Sequence, residues 1–309
     1  MSRISLVVTV RDEAQTIRDL LASIDAQTRA PDEVVIVDGG STDDTLAILE
    51  QWTNPKYVVQ SEPGTNIARG RNIGIGRATS PVIAVTDGGC VLDSHWLERL
   101  VSALGGADVA MGYYEPVATT FFERITTCLT LPDADQINPE RFMPSSRSIA
   151  FRRAVWERVG GYPEWLDIGE DMSFDFSVVA TGVKRAFVPD AIARWHTRPT
   201  LRAFLRQYFR YARGDAVAGM YLRRHLIRFI SYGAGVALIV LAFAIWQWLI
   251  AIPAFGITSW LRPAYRRAWR RLRGSERIAA FVLMPFLLVL QDVAKMAGYL
   301  AGLPHRRKR

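Results

Sequence analysis

The chain of 309 residues predicts an α/β fold, a mostly parallel sheet with helices on both faces, followed by C-terminal membrane-associated helices. Three observations carry that expectation. Apolar runs of strand length alternate with segments of helical period from Ile4 to Thr86. Acidic loops close those runs, where open α/β sheets take ligands. Charge is also divided: residues 1–200 hold 19 Lys/Arg and 27 Asp/Glu, whereas residues 201–309 hold 19 and 3.

Taken in order, Ile4 to Val10 is a continuous apolar strand, and Ile17, Leu20, Leu21 and Ile24 follow at helical spacing. The run ends in Arg11-Asp12-Glu13 with no small-residue cleavage site, so it reads as a buried strand and not a secretory leader. Glu33 to Asp38 is a second strand, rich in β-branched residues. Ser41 is placed to cap a helix, with Asp44 at the third position as in a capping box. Tyr57 to Ser61 makes a third strand and Asn66 to Ala78 a helix, although Gly70, Gly74 and Gly76 weaken it. Pro81 to Thr86 is a fourth strand.

Residues 95–200 are less regular. Trp96 to Leu104 reads as helix, Val109 to Tyr114 and Ser148 to Phe151 as strands, and Glu170 to Ala180 as a helix ended by Gly182. Residues 115–147 are expected to form a mobile acceptor-side loop. Thr200 to Arg213 is amphipathic, suited to a bilayer surface or to packing on the front domain.

Phe229 to Leu261 spans 33 residues without a charge, against about 20 needed to cross the hydrocarbon core. Seven Arg follow in residues 262–277. A single crossing would put that basic loop outside, against the positive-inside tendency. The preferred reading is a re-entrant hairpin turning near Pro253, with Ile278–Leu303 amphipathic or partly inserted and a basic tail His305–Arg309. Because the basic residues border uncharged runs, the expected partner is membrane and not nucleic acid. Cys90 and Cys128 are the only cysteines and lack metal-type spacing, which fits a reducing compartment.

Three acidic motifs point to chemistry. Asp38, in VVIVDGGSTDDT, stands at a strand end where a carboxylate can accept a base N–H, while Gly39 and Gly40 permit close approach. The same residues also describe a capped helix after a tight turn. Asp43 and Asp44 disfavour phosphate, so this loop is expected to hold the nucleoside. Asp87, in VTDGGC, can hold Mg2+ or Mn2+ together with substrate phosphates, or simply start a turn. Glu170 and Asp171 open a helix, whose dipole favours ionised carboxylates. One of them can serve as a base. His196, in ARWHTRPT, is a candidate metal ligand or phosphate donor, or a surface histidine.

Together these motifs resemble family 2 glycosyltransferases of the GT-A fold over residues 1 to about 215. VVTVRDEA is similar to the family's opening strand, ARGRNIGIGRAT to the helix that approaches the nucleotide-sugar, VTDGGC to the DxD motif, GEDMSFD to the ED motif, and QYFRY to QxxRW. The resemblance implies Asp171 as catalytic base with Glu170 beside it. It implies a nucleotide-sugar site of Thr9, Arg11, Glu13, Asp38, Gly39, Arg69, Arg71, Asn72, Asp87 and Gly88. It further implies a metal, Mg2+ or Mn2+, at Asp87 and His196, with His196, Arg210 and Arg213 near the leaving phosphate. Two departures stand out: the second DxD acid is Gly89, and QxxRW ends in Tyr211.

The implied domains are 1–200 as the GT-A domain (1–94 nucleotide-binding, 95–200 acceptor), 201–228 as an interfacial helix region, and 229–309 as a membrane segment. The implied activity is inverting transfer from a UDP- or GDP-linked sugar to a lipid-linked or glycan acceptor, at the cytoplasmic face of an inner membrane. The rival from another class is a membrane-tethered nucleotide-sugar binder without turnover, encouraged by the eroded DxD. A nucleotidyltransferase is disfavoured, because Thr9-Val10-Arg11-Asp12-Glu13 lacks the glycines of a triphosphate loop.

Overall fold

A computed structural model describes residues 2–307, so Lys308 and Arg309 of the basic tail lie outside the described residues. The chain divides into two compact units, Met1–Val117 with Ile137–His196, and Ala118–Gln136 with Thr197–Arg309.

The first unit opens with β1 (Ile4–Val10), α1 (Ile17–Asp25), β2 (Glu33–Asp38), α2 (Thr45–Glu50), β3 (Tyr57–Ser61), α3 (Ile67–Arg77) and β4 (Val82–Asp87). Next come β5 (Cys90–Leu92), α4 (Trp96–Ala103) and β6 (Val109–Val117). After α5 (Phe121–Thr130), which belongs to the second unit, come β7 (Ile149–Arg152), α6 (Arg153–Val159), α7 (Glu170–Ala180) and β8 (Arg185–His196).

Among the described residues the strands form one sheet in the order β3-β2-β1-β4-β7-β6-β8-β5. β3, β2, β1 and β4 are mutually parallel; β7 runs against both its neighbours, β6 and β8 are parallel, and β5 is antiparallel to β8. The sheet is therefore mixed, and its parallel part is the half that the βα alternation foretold. β1 lies inside the sheet between β2 and β4, buried along its whole length. Burial on both faces is why it reads as an unbroken apolar run instead of an alternating one.

Helices cover both faces. Leu6, Val8 and Val10 share one core with Leu20 and Leu21 of α1 and Trp96 of α4. Val7 points the other way, into a core with Ile75 of α3 and Phe174 of α7. Two of the glycines that weaken α3 as a helix are what lets it lie on the sheet: a Cβ at Gly74 would meet Val7 Cγ1 at 2.5 Å, and one at Gly70 would meet Thr9 Cγ2 at 3.2 Å.

Several local expectations change. α2 starts at Thr45, not beside Ser41, because the Ser41 hydroxyl is taken by Asp38. Residues 115–147 are not a loop throughout: β6 runs to Val117 and α5 follows. Thr120 and Glu123 close a full capping box at the start of α5. β8, twelve residues long, carries Pro189 in a register shift opposite Gly112/Tyr113.

The second unit adds α8 (Leu201–Ala218), α9 (Leu222–Ala244), α10 (Ala251–Arg271) and α11 (Ser275–Gly302). α8 is amphipathic as expected, and its partner is α11: Gly298 and Gly302 leave no room for a Cβ against the Phe209 and Arg213 carbonyls. Buried Arg267 of α10 donates to the Cys128 carbonyl at 2.8 Å, joining α10 to the open C-terminal end of α5. The long uncharged run is broken at Ile245–Trp246, so the turn precedes Pro253, which falls in the first turn of α10 where proline is tolerated. α9 and the segment Ser275–His305 are each long and apolar enough to cross a membrane, with mean hydropathy 2.0 and 1.8.

Candidate active site

The register of the central strands brings two of the three acidic motifs to one edge. Val10 of β1 pairs Asp38 of β2, and Thr9 pairs Asp87 of β4. Both carboxylates thus stand at C-terminal ends of parallel strands, the rim where such sheets take ligands.

Asp38 is buried and shapes its own loop. It accepts from the Gly40 and Ser41 N–H groups at 3.1 Å, from the Ser41 hydroxyl, and from Ser61 Oγ at 3.2 Å. The loop after β1 is laced to it. Asp12 N–H donates to Ser41 Oγ at 2.9 Å, Thr42 N–H to Asp12 Oδ1 at 2.7 Å, and Glu13 N–H to Thr45 Oγ1 at 2.8 Å. Asp12 adopts φ 55°, a left-handed conformation that aspartate tolerates better than most residues. Arg11 and Arg69 are exposed beside this rim, and Thr9 Oγ1 is buried without a hydrogen-bond partner.

Asp87 ends β4 and turns at once through Gly88–Gly89 into β5. The glycines are needed for space. A Cβ at Gly88 would meet Val10 Cγ1 at 3.0 Å, and one at Gly89 would meet the Glu13 carboxylate at 3.2 Å. Glu13 therefore flanks the position where DxD would carry its second acid.

Arg71 ties the third motif to the second. It is fully buried, and donates through Nη2 to Asp87 Oδ1 and through Nη1 to Glu170 Oε1, each at 2.6 Å. Its guanidinium lies 5.2 Å from the Tyr162 ring centre, and Tyr162 stacks on Phe174 of α7. Residues distant in sequence thus converge on one cation. Asn72, next on α3, stays out of this cluster. Its amide donates to the Tyr162 carbonyl at 2.8 Å and to Glu164 Oε1 at 3.0 Å, and accepts from Trp156 Nε1 at 3.1 Å. It holds the loop that leads to α7.

α7 begins after Gly169 in the left-handed region, with both carboxylates in its first turn. Glu170 is buried against Arg71, whereas Asp171 is partly exposed, with Ser145 Oγ 3.4 Å from its Oδ2. Burial pushes the Glu170 carboxyl up; Arg71 offsets part of this and Asp171 adds to it, leaving it at about 7. A carboxyl raised in the folded state stabilises fully below its ordinary value, and that stability is lost as pH rises through the raised one. Glu170→Gln is therefore expected to flatten the stability profile between pH 4.5 and about 7, read by denaturant unfolding at each pH. An unchanged slope would remove Glu170 as its source.

Two further groups here were not among the residues singled out in the sequence, although Asp175 closes the GEDMSFD segment. Asp175, one turn beyond Asp171, is buried with Oδ2 unpartnered. Burial and the neighbouring Asp171 drive its carboxyl far up, against an opposing Arg185. Arg147 enters β7 across from β4. Its Nε is 3.7 Å from Asp87 Oδ2, and its Nη1 donates to Ser145 Oγ at 3.2 Å. Burial alone would raise the Asp87 carboxyl, but Arg71 and Arg147 together hold it below the usual carboxylate range.

These neighbours bear on a divalent cation, which asks for hard oxygen ligands in a negative field. Among the described residues no three His, Cys, Asp or Glu side chains form a metal-holding group. His196, exposed at the end of β8, lies one residue past Trp195, the partner of Cys90. Asp87 faces guanidinium on both oxygens. Two unit charges about 4 Å apart repel by about 4 kcal/mol at an effective dielectric of about 20, and a dication doubles this for each arginine. The two guanidinium groups offset part of what Asp87 contributes, but Glu170 takes up Arg71 and the Glu13 carboxylate lies at the same turn, so Asp87 and Glu13 are the residues here that could hold a cation. Arg210 and Arg213 belong to α8 of the second unit.

Comparison with known proteins bears on the same residues. The model of glycosyl transferase family 2 matches residues 5–160, and that of glycosyl transferase family group 2 matches residues 83–291. Glycosyltransferase AglE of Haloferax volcanii is 29% identical over 236 residues, covering 73% of this chain and 77% of AglE. The O-antigen chain rhamnosyltransferase RfbN of Salmonella typhimurium is 22% identical over 67% of this chain and 70% of its own length. Among solved structures, mannosyltransferase PcManGT from Pyrobaculum calidifontis, in complex with GDP-Man and Mn2+, aligns over 98% of this chain and 87% of its own, with TM-score 0.60 and 18% identity. TarS 1–349 of S. aureus in complex with UDP aligns over 98% and 90%, with TM-score 0.51 and 16% identity. At these identities the two structures speak for the GT-A fold.

Proposed function

The chain belongs to glycosyl transferase family 2, and on that premise we propose that it is an inverting enzyme moving a sugar from a UDP- or GDP-linked donor to a hydroxyl of a lipid-linked or membrane-proximal glycan acceptor. The observation that carries this reading is Arg71, a buried cation bridging Asp87 and Glu170. It joins the donor-side turn to the helix that presents Asp171.

The nucleoside lies in the rim formed by the Asp38 and Asp12 loops. The diphosphate runs over Gly88 and Gly89, where missing side chains admit it beside Glu13. Thr9, Arg11, Gly39 and Arg69 border the same rim. Asp171, more open than Glu170, takes the proton of the acceptor hydroxyl as it attacks the anomeric carbon. The bond from that carbon to the β-phosphate oxygen breaks, and the nucleoside diphosphate leaves with the electron pair. Glu170, held by Arg71, positions Asp171 at the helix start.

Support for a divalent cation comes from the Mn2+ bound by PcManGT, and Asp87 with Glu13 is where this chain could hold it. Arg210 and Arg213 stand as phosphate contacts on the strength of the QYFRY resemblance alone, and His196 on that of its place past β5. A membrane-proximal acceptor is favoured by two long apolar helices and by the basic residues bordering them. Their charge favours the cytoplasmic face of an inner membrane. AglE and RfbN, as a glycosyltransferase and an O-antigen chain rhamnosyltransferase, favour glycan assembly as the setting.

A panel of UDP- and GDP-sugars, assayed for nucleoside diphosphate release on membranes holding the chain, tests the reading. One donor should be turned over, and the Asp171→Asn chain should be silent with it. Donor binding without release from the unaltered chain would favour the non-catalytic binder.

A further inference from the structure

We propose that the chain holds to a single leaflet of an anionic bilayer and crosses it nowhere, with α11 lying flat and the α9–α10 pair dipping in and returning. The proposal rests on the reading of a membrane-proximal acceptor and gives that reading its geometry.

α11 decides the matter. Its length and hydropathy permit a crossing, but its neighbours do not. Ala280, Met284, Leu287 and Leu288 pack with Ile125 and Cys128 of α5. Farther along, Lys295 lies 4.8 Å from the Tyr208 ring centre, Tyr299 packs with Ala212 and Ala216, and Gly302 closes on the Arg213 carbonyl of α8. Any stretch of about 20 residues set across the hydrocarbon would carry one of those two helices in with it. α5 would bring Glu123 and Arg124, and α8 the exposed Arg206, Arg210 and Arg213. Charged groups at that depth are strongly disfavoured.

The other face of α11 is nevertheless apolar. Ile278, Val282, Phe286, Leu290 and Val293 recur at helical spacing and are 41–73% exposed. A contiguous apolar stripe of this kind marks an interaction surface. Arg262, Arg266 and Arg273 precede it in the chain, exposed and without an ion pair among the described residues. Their charge is complementary to acidic lipid headgroups. α11 is thus apolar all round for two reasons, protein on one face and lipid on the other.

The depth of the α9–α10 pair is set by its shorter arm. α9 departs from Arg228, which donates to Asp292 of α11 at 2.9 Å, and the chain turns back over residues 245–250. The returning arm offers only residues 251–261 before Arg262, about 16 Å of helix against about 30 Å of hydrocarbon. Arg267 and Arg271 then fasten α10 to the Cys128 carbonyl and to Asp133. Both ends of the hairpin are therefore tied to the helices that hold α11, and its tip reaches about the middle of the bilayer.

The test applies the full chain, diluted from detergent, to sealed vesicles of phosphatidylcholine mixed with phosphatidylglycerol, with a maleimide that cannot pass through them. Cys90 and Cys128 are buried, so the unaltered chain is the blank. Arg202→Cys should be labelled from outside, and Ser275→Cys and His305→Cys to the same extent, although they bracket α11. Gln247→Cys, at the tip, should be labelled only after detergent dissolves the bilayer. Thermal unfolding of each variant shows that it is folded. The proposal is overturned if Ser275→Cys and His305→Cys are labelled from opposite sides, or if reagent sealed inside the vesicles reaches Gln247→Cys. Flotation of the unaltered chain should fall about tenfold or more with phosphatidylcholine alone, and equal flotation overturns the choice of an anionic leaflet. A chain that floats with neither kind of vesicle sinks the membrane reading as well, which separates the two failures.

Discussion

Asp171→Asn is expected to lower the rate of sugar transfer by about 100-fold to 10,000-fold, the range for removing a general base. Binding of the nucleotide-sugar should stay within about twofold. The expectation follows from how the two neighbouring carboxylates are used. Glu170 is buried and hydrogen-bonded to Arg71 at 2.6 Å, so its lone pairs serve the frame. Asp171 is partly exposed and has a long contact with Ser145 at 3.4 Å. Asparagine keeps the shape and loses the basicity, so turnover separates from affinity. Steady-state kinetics with titration calorimetry on the same preparation checks it. Equal loss of donor affinity would make Asp171 a binding residue instead.

Arg71→Met is expected to be the most damaging single change to the fold. It removes a buried cation and leaves Asp87 and Glu170 facing each other without it. Breaking a buried pair by removing one partner costs about 3–5 kcal/mol, which in a unit of this size lowers the melting temperature by about 10 °C. Transfer activity should vanish even in the fraction that stays folded, since the frame of the site is gone. Adding Asp87→Asn and Glu170→Gln to Arg71→Met should return much of the stability, because the unpaired charges are removed, and none of the activity. Thermal unfolding with an activity assay on both variants checks this. A triple variant no more stable than the single one would show that the loss comes from packing against Tyr162 and not from charge.

Much of the architecture was legible because burial leaves a plain mark. β1, β2 and β4 are buried on both faces, so no charged residue interrupts their interiors, and the acidic residues that follow or end them mark the rim. What escaped the sequence depends on partners far along the chain. Ser41 looked like a helix cap until its hydroxyl met Asp38. Asn72 looked like a donor contact, yet its amide is used up by Trp156, Tyr162 and Glu164. β8 was hidden by Pro189, which interrupts the pattern at a register shift. The start of α5 did carry a signal, Thr120 with Glu123 three residues on, and that capping box was there to be read. Arg147 carried none. A single arginine between serines says nothing until an antiparallel register sets it across from Asp87.

The most direct measurement is a crystal or cryo-electron structure of the full chain with a nucleoside diphosphate-sugar bound. The base is expected in the rim between the Asp12 and Asp38 loops, the diphosphate over Gly88–Gly89, and the anomeric carbon open to Asp171. A nucleotide found on another face of the sheet, with Asp87 and Asp171 out of its reach, would contradict the account.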